Sequence, residues 1–147
     1  MIDTVRMTRC FLGLVALATL SVFPALAPAQ DGEVPIGLSG YWRASILRGN
    51  QIDDAVMSLL KIEDSGTVGG HGGCNRIFGP LRLEDRGIKI GPLSVTRKAC
   101  PPKVLDQEQT FLRVLRETRD FKHLPDEKTL LLLDGQGVEI GRFTAIQ

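Results

Sequence analysis

Apolar positions along this chain fall into two regimes. Residues 10 to 27, CFLGLVALATLSVFPALA, are apolar without one charge. Beyond residue 40 the apolar residues come in short runs broken by glycine-bearing turns, the pattern of strands. Tyr41 to Arg48 alternates, with Trp42, Ala44 and Ile46 on one side. Ser58 to Glu63 places Leu60 and Ile62 on a shared face, and Asp64-Ser65-Gly66 turns it back into Thr67 to Gly70. Ile77 to Leu83 is a third apolar region, and Asp85-Arg86-Gly87 turns it into Ile88-Lys89-Ile90. Lys128 to Leu133 predicts a strongly apolar strand. Asp134-Gly135-Gln136-Gly137 turns it into Val138 to Ile146, where Val138, Ile140 and Arg142 alternate with Glu139, Gly141 and Phe143.

Between these strand groups the period changes. Phe111, Leu112, Leu115 and Thr118 recur at i, i+1, i+4 and i+7, which buries one face of a helix. Asp106-Gln107-Glu108-Gln109 has the form of a capping box, with Asp106 as N-cap and Gln109 at N3. Pro101-Pro102 stops any strand from running into the helix. Strands, one helix, then strands predict a mostly β, α+β domain. A doubly wound parallel sheet would need alternating helices. Asp31 to Leu38 reads as a loose lead-in.

The chain has 147 residues, room for one domain, and 24% charged residues, ordinary for a globular protein. Lys and Arg number 18 against 17 Asp and Glu. That balance argues against nucleic acid as a partner, which takes a clear basic excess. Arg6 and Arg9 ahead of the first apolar run, and Ala27-Pro28-Ala29 behind it, complete the three parts of a secretory signal peptide. The alternative, a membrane anchor, is disfavoured by Pro24, by the small-residue cleavage site and by the absence of a basic stop-transfer flank. Cleavage after Ala29 is therefore expected, giving a periplasmic or secreted protein that begins at Gln30. Cys10 precedes the apolar run and does not stand where a lipidated cysteine would. Cleavage removes Asp3, Arg6 and Arg9 and leaves the charge balanced.

Of the three cysteines, Cys74 and Cys100 remain after cleavage. In an oxidising compartment they are expected to form a disulfide. The competing arrangement is a zinc site in which His71 and His123 join the two thiols, but the spacing matches no zinc motif. Gly66 to Asn75 reads GTVGGHGGCN. It lacks the Lys-Ser/Thr of a phosphate loop and the third glycine of a dinucleotide fingerprint. The glycines read instead as structural, letting one strand bend sharply and pass close to another backbone. Gly73 and at least one of Gly69 and Gly70 are expected where a side chain is not tolerated. No Gly-x-Ser-x-Gly is present, a Cys74–His nucleophile loses its thiol to the disulfide, and the carboxylates are scattered. Arg113, Arg116 and Arg119, three apart and interrupted by Glu117, read as a solvated helix face.

Several of these residues together resemble a known family. They are Trp42, the stretch Gly69 to Asn75 as GGHGGCN, Gly79, Thr96-Arg97-Lys98-Ala99-Cys100, Glu108, Phe111-Leu112 and Leu130 to Leu133. GCN and T-x-x-x-C at this spacing resemble the META domain family of HslJ-like heat-shock and envelope proteins, over about residues 39 to 146. Trp42, Gly69, Gly70, Gly73, Asn75, Gly79 and Thr96 are then structural motif positions. The resemblance implies a small antiparallel sheet curled into a partial barrel, with one helix packed on it. It carries no catalytic residue across. Many exported members are lipoproteins, a feature this chain departs from.

These readings lead to an expectation of a non-enzymatic, monomeric protein without metal or cofactor. Its partner would be an envelope protein met under heat or envelope stress. The alternative is a small-ligand carrier using the mouth of the barrel, which would need an open apolar cavity of about 300 Å³ or more.

Overall fold

The computed structural model describes residues 34–35, 37–84 and 87–146. The expected signal segment, residues 1–29, lies outside them. Within them the chain forms strands β1 (Gly40–Leu47), β2 (Asn50–Gln51), β3 (Leu59–Ile62), β4 (Thr67–His71), β5 (Arg76–Glu84), β6 (Gly87–Ile90) and β7 (Ser94–Val95). Helix α1 (Pro102–Glu117) follows, then β8 (Asp120–Leu124), β9 (Thr129–Leu133) and β10 (Glu139–Ile146).

The strands lie in the order β6-β5-β4-β3-β1-β10-β9-β8, with β2 attached to β1 and β7 to β5. All pairings are antiparallel. The sheet curls until its ends meet, where the Ile88 N–H donates to the Arg119 carbonyl at 2.9 Å. The domain is thus mostly β, a partial barrel with one helix. Trp42, Leu60, Gly70 and Ile77 stand side by side across four strands and face inward. They belong to one apolar cluster with Ile62, Val68, Ile88, Ile90, Leu130, Leu132 and the α1 residues Phe111, Leu112, Val114 and Leu115. The rings of Phe111 and Phe143 meet at 6.2 Å, joining α1 to β10.

Several expectations are corrected. The helix starts at Pro102, with Pro101 before it and no side-chain cap. Proline at the first helical position carries a preset φ and lacks an N–H that would have gone unpaired there. Asp106 is therefore inside the helix, where its carbonyl accepts from the Thr110 hydroxyl at 3.0 Å. Strand β8, DFKHL, gives a weak apolar signal because it pairs with β9 alone and its Phe121, His123 and Leu124 are only half-buried. Arg119 lies beyond the helix, and its guanidinium donates to the carbonyls of Arg116 and Thr118. Within the lead-in, Val34 and Leu38 are buried rather than loose, and the Leu38 carbonyl accepts from the Trp42 indole at 2.9 Å.

Period-2 alternation fails at two bulges. Ala44 pairs Phe143 while Ile46 pairs Arg142, so Ser45 is an extra residue and Leu47, not Ile46, is the buried position. In β10, Glu139 pairs Leu133 while Gly141 pairs Leu132, leaving Ile140 extra. Ile140, Gly141 and Phe143 are all buried as a result. A bulge shifts the side-chain phase by one residue and strengthens local twist, which a tightly curled sheet requires.

Candidate functional site

The glycine run carries the chain from β4 into β5 beneath α1. Gly70 holds φ at +134°, and a Cβ there would collide with the Leu59 carbonyl of β3. Gly73 holds φ at +146° beside Val56. At least one of Gly69 and Gly70 is expected to bar a side chain, and Gly70 is that one; at Gly69 a Cβ would meet only the Ile77 carbonyl, at 3.9 Å. The glycine that sequence reasoning passed over is Gly72. A Cβ there would stand 2.7 Å from Glu108 Cγ and 3.1 Å from Glu108 Cα, so its bareness is what admits the helix. Gly79 plays a similar part farther along, where a Cβ would stand 2.6 Å from the Pro92 carbonyl.

Against this bare turn the helix places Glu108, only 2% exposed. Its Oε2 accepts from the backbone N–H groups of Cys74 at 3.0 Å and Asn75 at 2.5 Å, and its Oε1 accepts from Asn75 Nδ2 at 2.7 Å. A buried carboxylate is tolerated when such donors replace its water. Asn75 passes the connection on. Its Oδ1 accepts from the Thr96 hydroxyl at 3.0 Å and the Lys98 N–H at 2.7 Å. Thr96 Oγ1 in turn accepts from the Arg76 N–H at 3.0 Å. Cys74 and Cys100 are joined as a disulfide with Cα atoms 6.4 Å apart. The GCN and T-x-x-x-C segments are thus tied twice in parallel, by a covalent bridge and by an Asn–Thr hydrogen bond.

The neighbouring Gln107 performs the same task for another loop. Its amide nitrogen donates to the Val56 carbonyl at 2.6 Å and to Ser58 Oγ at 3.1 Å, and its oxygen accepts from the Asp53 N–H at 3.0 Å. Ser58, fully buried, donates to the Gly72 carbonyl at 2.6 Å. Lys103 reaches Asp53 at 2.6 Å. Its hydrogen bond, the Ala55 N–H and its charge hold the Asp53 carboxyl below the ordinary 3.8.

Beside the Glu108 network lies an open cleft of about 460 Å³ between α1 and the segment 93–98. Leu93, Val95, Leu105 and Leu112 line it together with Asn75, Thr96 and Gln109. Arg97, Lys98 and Arg116 line it as well. The two histidines lie apart. His71 pairs with Leu59 and Arg76 at the end of β4, whereas His123 on β8 packs edge-on against Trp42 at 5.6 Å. With both thiols in the bridge, the Cys2His2 alternative has no ligand pair. Among the described residues no group of three or more His, Cys, Asp or Glu gathers to hold a metal. No helix among them is long and apolar enough to cross a membrane.

Glu108 had a legible signal. Positions 108, 111, 112 and 115 stand at i, i+3, i+4 and i+7, so the carboxylate falls on the buried stripe itself. The capping-box reading gives it no role, naming only Asp106 and Gln109.

A family model for the META domain matches residues 36–146, which includes every residue of this network. The chain belongs to the META domain family. An NMR structure of a protein from Burkholderia xenovorans resembles this META domain with a TM-score of 0.61 at 22% identity, covering 87% of this chain and 99% of that one. A second protein solved by NMR is similar with a TM-score of 0.55 at 17% identity, over 72% of this chain and 88% of its own. A DUF4847 family protein from Bacteroides vulgatus is similar with a TM-score of 0.50 at 15% identity, over 74% and 94%. At these identities the likenesses show a shared fold alone. No curated protein matches the chain.

Proposed function

We propose that this META domain is exported to the periplasm or beyond, and that it acts by binding an envelope component under stress rather than by catalysis. The observation that carries the reading is the filled interior. Phe111, Phe143, Leu38, Leu60, Leu130 and Leu132 are fully buried inside the curled sheet, and a ligand held there would have to displace them. Recognition then falls to the outer surface, where the cleft beside α1 is open. Glu108, the buried carboxylate, has both oxygens engaged by three donors, which suits a fastener better than a proton carrier. Export is supported by the basic, apolar and Ala27-Pro28-Ala29 parts of the N-terminal sequence and by a disulfide of the kind that persists in oxidising compartments.

Two measurements test this. Intact mass of the exported protein should show loss of the first 29 residues and no lipid, and a retained N-terminus in the membrane fraction overturns the export reading. Affinity capture from envelope extract, with and without heat stress, should retain a partner enriched by stress. Equal recovery of nothing under both conditions overturns the binding reading.

A further inference from the structure

We propose that the cleft between α1 and the segment 93–98 is a binding site for a small amphipathic anion, a single carboxylate or phosphate group carried on a short apolar body. This rests on the reading of the chain as a binding protein and names the chemistry of its ligand. Arg97, Lys98 and Arg116 line the cleft, and none of them takes part in an ion pair among the described residues. Arginine presents a planar fork of donors that matches a carboxylate or phosphate edge. Leu93, Val95 and Leu112 supply apolar wall beside these cations, and a volume of about 460 Å³ suits a small molecule. Glu108, which alone brings a negative charge to the lining, faces the backbone of Cys74 and Asn75 and does not neutralise them.

The buried network gives the cations a fixed place. Thr96 and Lys98 lie in exposed chain outside α1, yet each is fastened to Asn75 Oδ1, and Asn75 is fastened to Glu108. A buried carboxylate and amide are a costly way to stabilise a core, since apolar residues of similar volume often do as well or better. Their return here is a preset loop: Arg97 sits between two anchored residues and faces a helix that carries Arg116. A cleft prepared in this way loses little further freedom on binding.

Octanoate and octyl phosphate are the probes, with octanol and octylammonium as controls, each titrated into the exported protein and followed by amide NMR. One or both anions should shift the amides of residues 96–98 and of residues 109–116, and the two anions distinguish a carboxylate source from a phosphate source. Octanol and octylammonium should not shift them. The double variant R97E/R116E, changed at two exposed positions, should keep its melting temperature and weaken the responding anion by about tenfold or more, the loss of charge-assisted contacts. Equal shifts with octanol overturn the proposal, as does silence with both anions into the millimolar range or unchanged affinity in the double variant. The extract capture separates the two levels. A partner retained equally by wild type and R97E/R116E overturns the ligand assignment alone, whereas nothing retained by either overturns the binding reading beneath it.

Discussion

Glu108 and Asn75 form a matched pair in which every side-chain oxygen accepts from at least one donor and the Asn75 amide nitrogen donates to Glu108. Glu108→Gln turns one acceptor into a donor that must face either a backbone N–H or Asn75 Nδ2. Rotating the Asn75 amide to receive it would set nitrogen against the Thr96 hydroxyl and the Lys98 N–H. The substitution should therefore cost about 2–3 kcal/mol by urea denaturation, the penalty of a buried unsatisfied group. Adding Asn75→Asp restores an acceptor at every mismatched position, so E108Q/N75D should recover most of the loss. A double variant no better than the sum of the singles would sink the pairing. The glycines separate in the same way. Gly70→Val sets a side chain against the Leu59 carbonyl at a strained φ and should cost more than about 1 kcal/mol. Gly69→Val has ordinary space in a strand that favours branched residues and should stay within about 0.5 kcal/mol. Cys74 and Cys100 were legible as a pair, and Asn75 and Thr96 joined them through the family resemblance. Glu108 was legible too, in the same resemblance and on the buried stripe of the helix, but its pairing with Asn75 was not, because no local pattern records which loop covers a helix face.

At the scale of the element, most strands and the helix follow from periodicity, since each turns a single face to the common core. The exceptions share a cause: they depend on a neighbour rather than on their own pattern. Strand β8 exists because β9 offers a ladder, and β1 and β10 lose alternation where a bulge feeds the curl of the whole sheet. The helix start shows local signals in competition. Asp106-Gln107-Glu108-Gln109 has capping form, yet Pro101-Pro102 begins the helix a turn earlier. Asp106→Ala should then change stability by less than about 0.5 kcal/mol, as at an exposed helical position. A true N-cap would lose about 1 kcal/mol. Thermal or urea unfolding of this one variant decides which residue opens the helix.

For the molecule as a whole, the disulfide closes a separation of 26 residues that spans β5, β6 and β7 and ends at the foot of α1. Loop-closure arithmetic assigns such a bridge about 3.5 kcal/mol. Reduction should accordingly lower Tm by roughly 10–15 °C in a domain of this size, with the fold intact at room temperature. Two free thiols, found by titration of the denatured but unreduced exported protein, would remove the bridge from the account. The mostly β character was legible from the order of apolar runs and the helix between them. The curl came only through the family resemblance. It rests on residues 88 and 119 coming together, and no local pattern records a contact between two segments that far apart.

That contact has a consequence for the company the molecule keeps. Gly87 holds φ at +142°, and a Cβ there would collide with the Arg119 carbonyl, so the join between β6 and β8 tolerates no side chain at this point. Gly87→Val would hold the two ends apart and free the Ile88 N–H and the Arg119 carbonyl that now meet, beside two strand edges. A neighbouring copy could satisfy them by lying alongside. The expected result is a variant that stacks into a ladder of chains, visible as concentration-dependent growth in light scattering that the unsubstituted protein does not show. One residue without a side chain thus stands between two sheet ends that meet and the beginnings of a fibre.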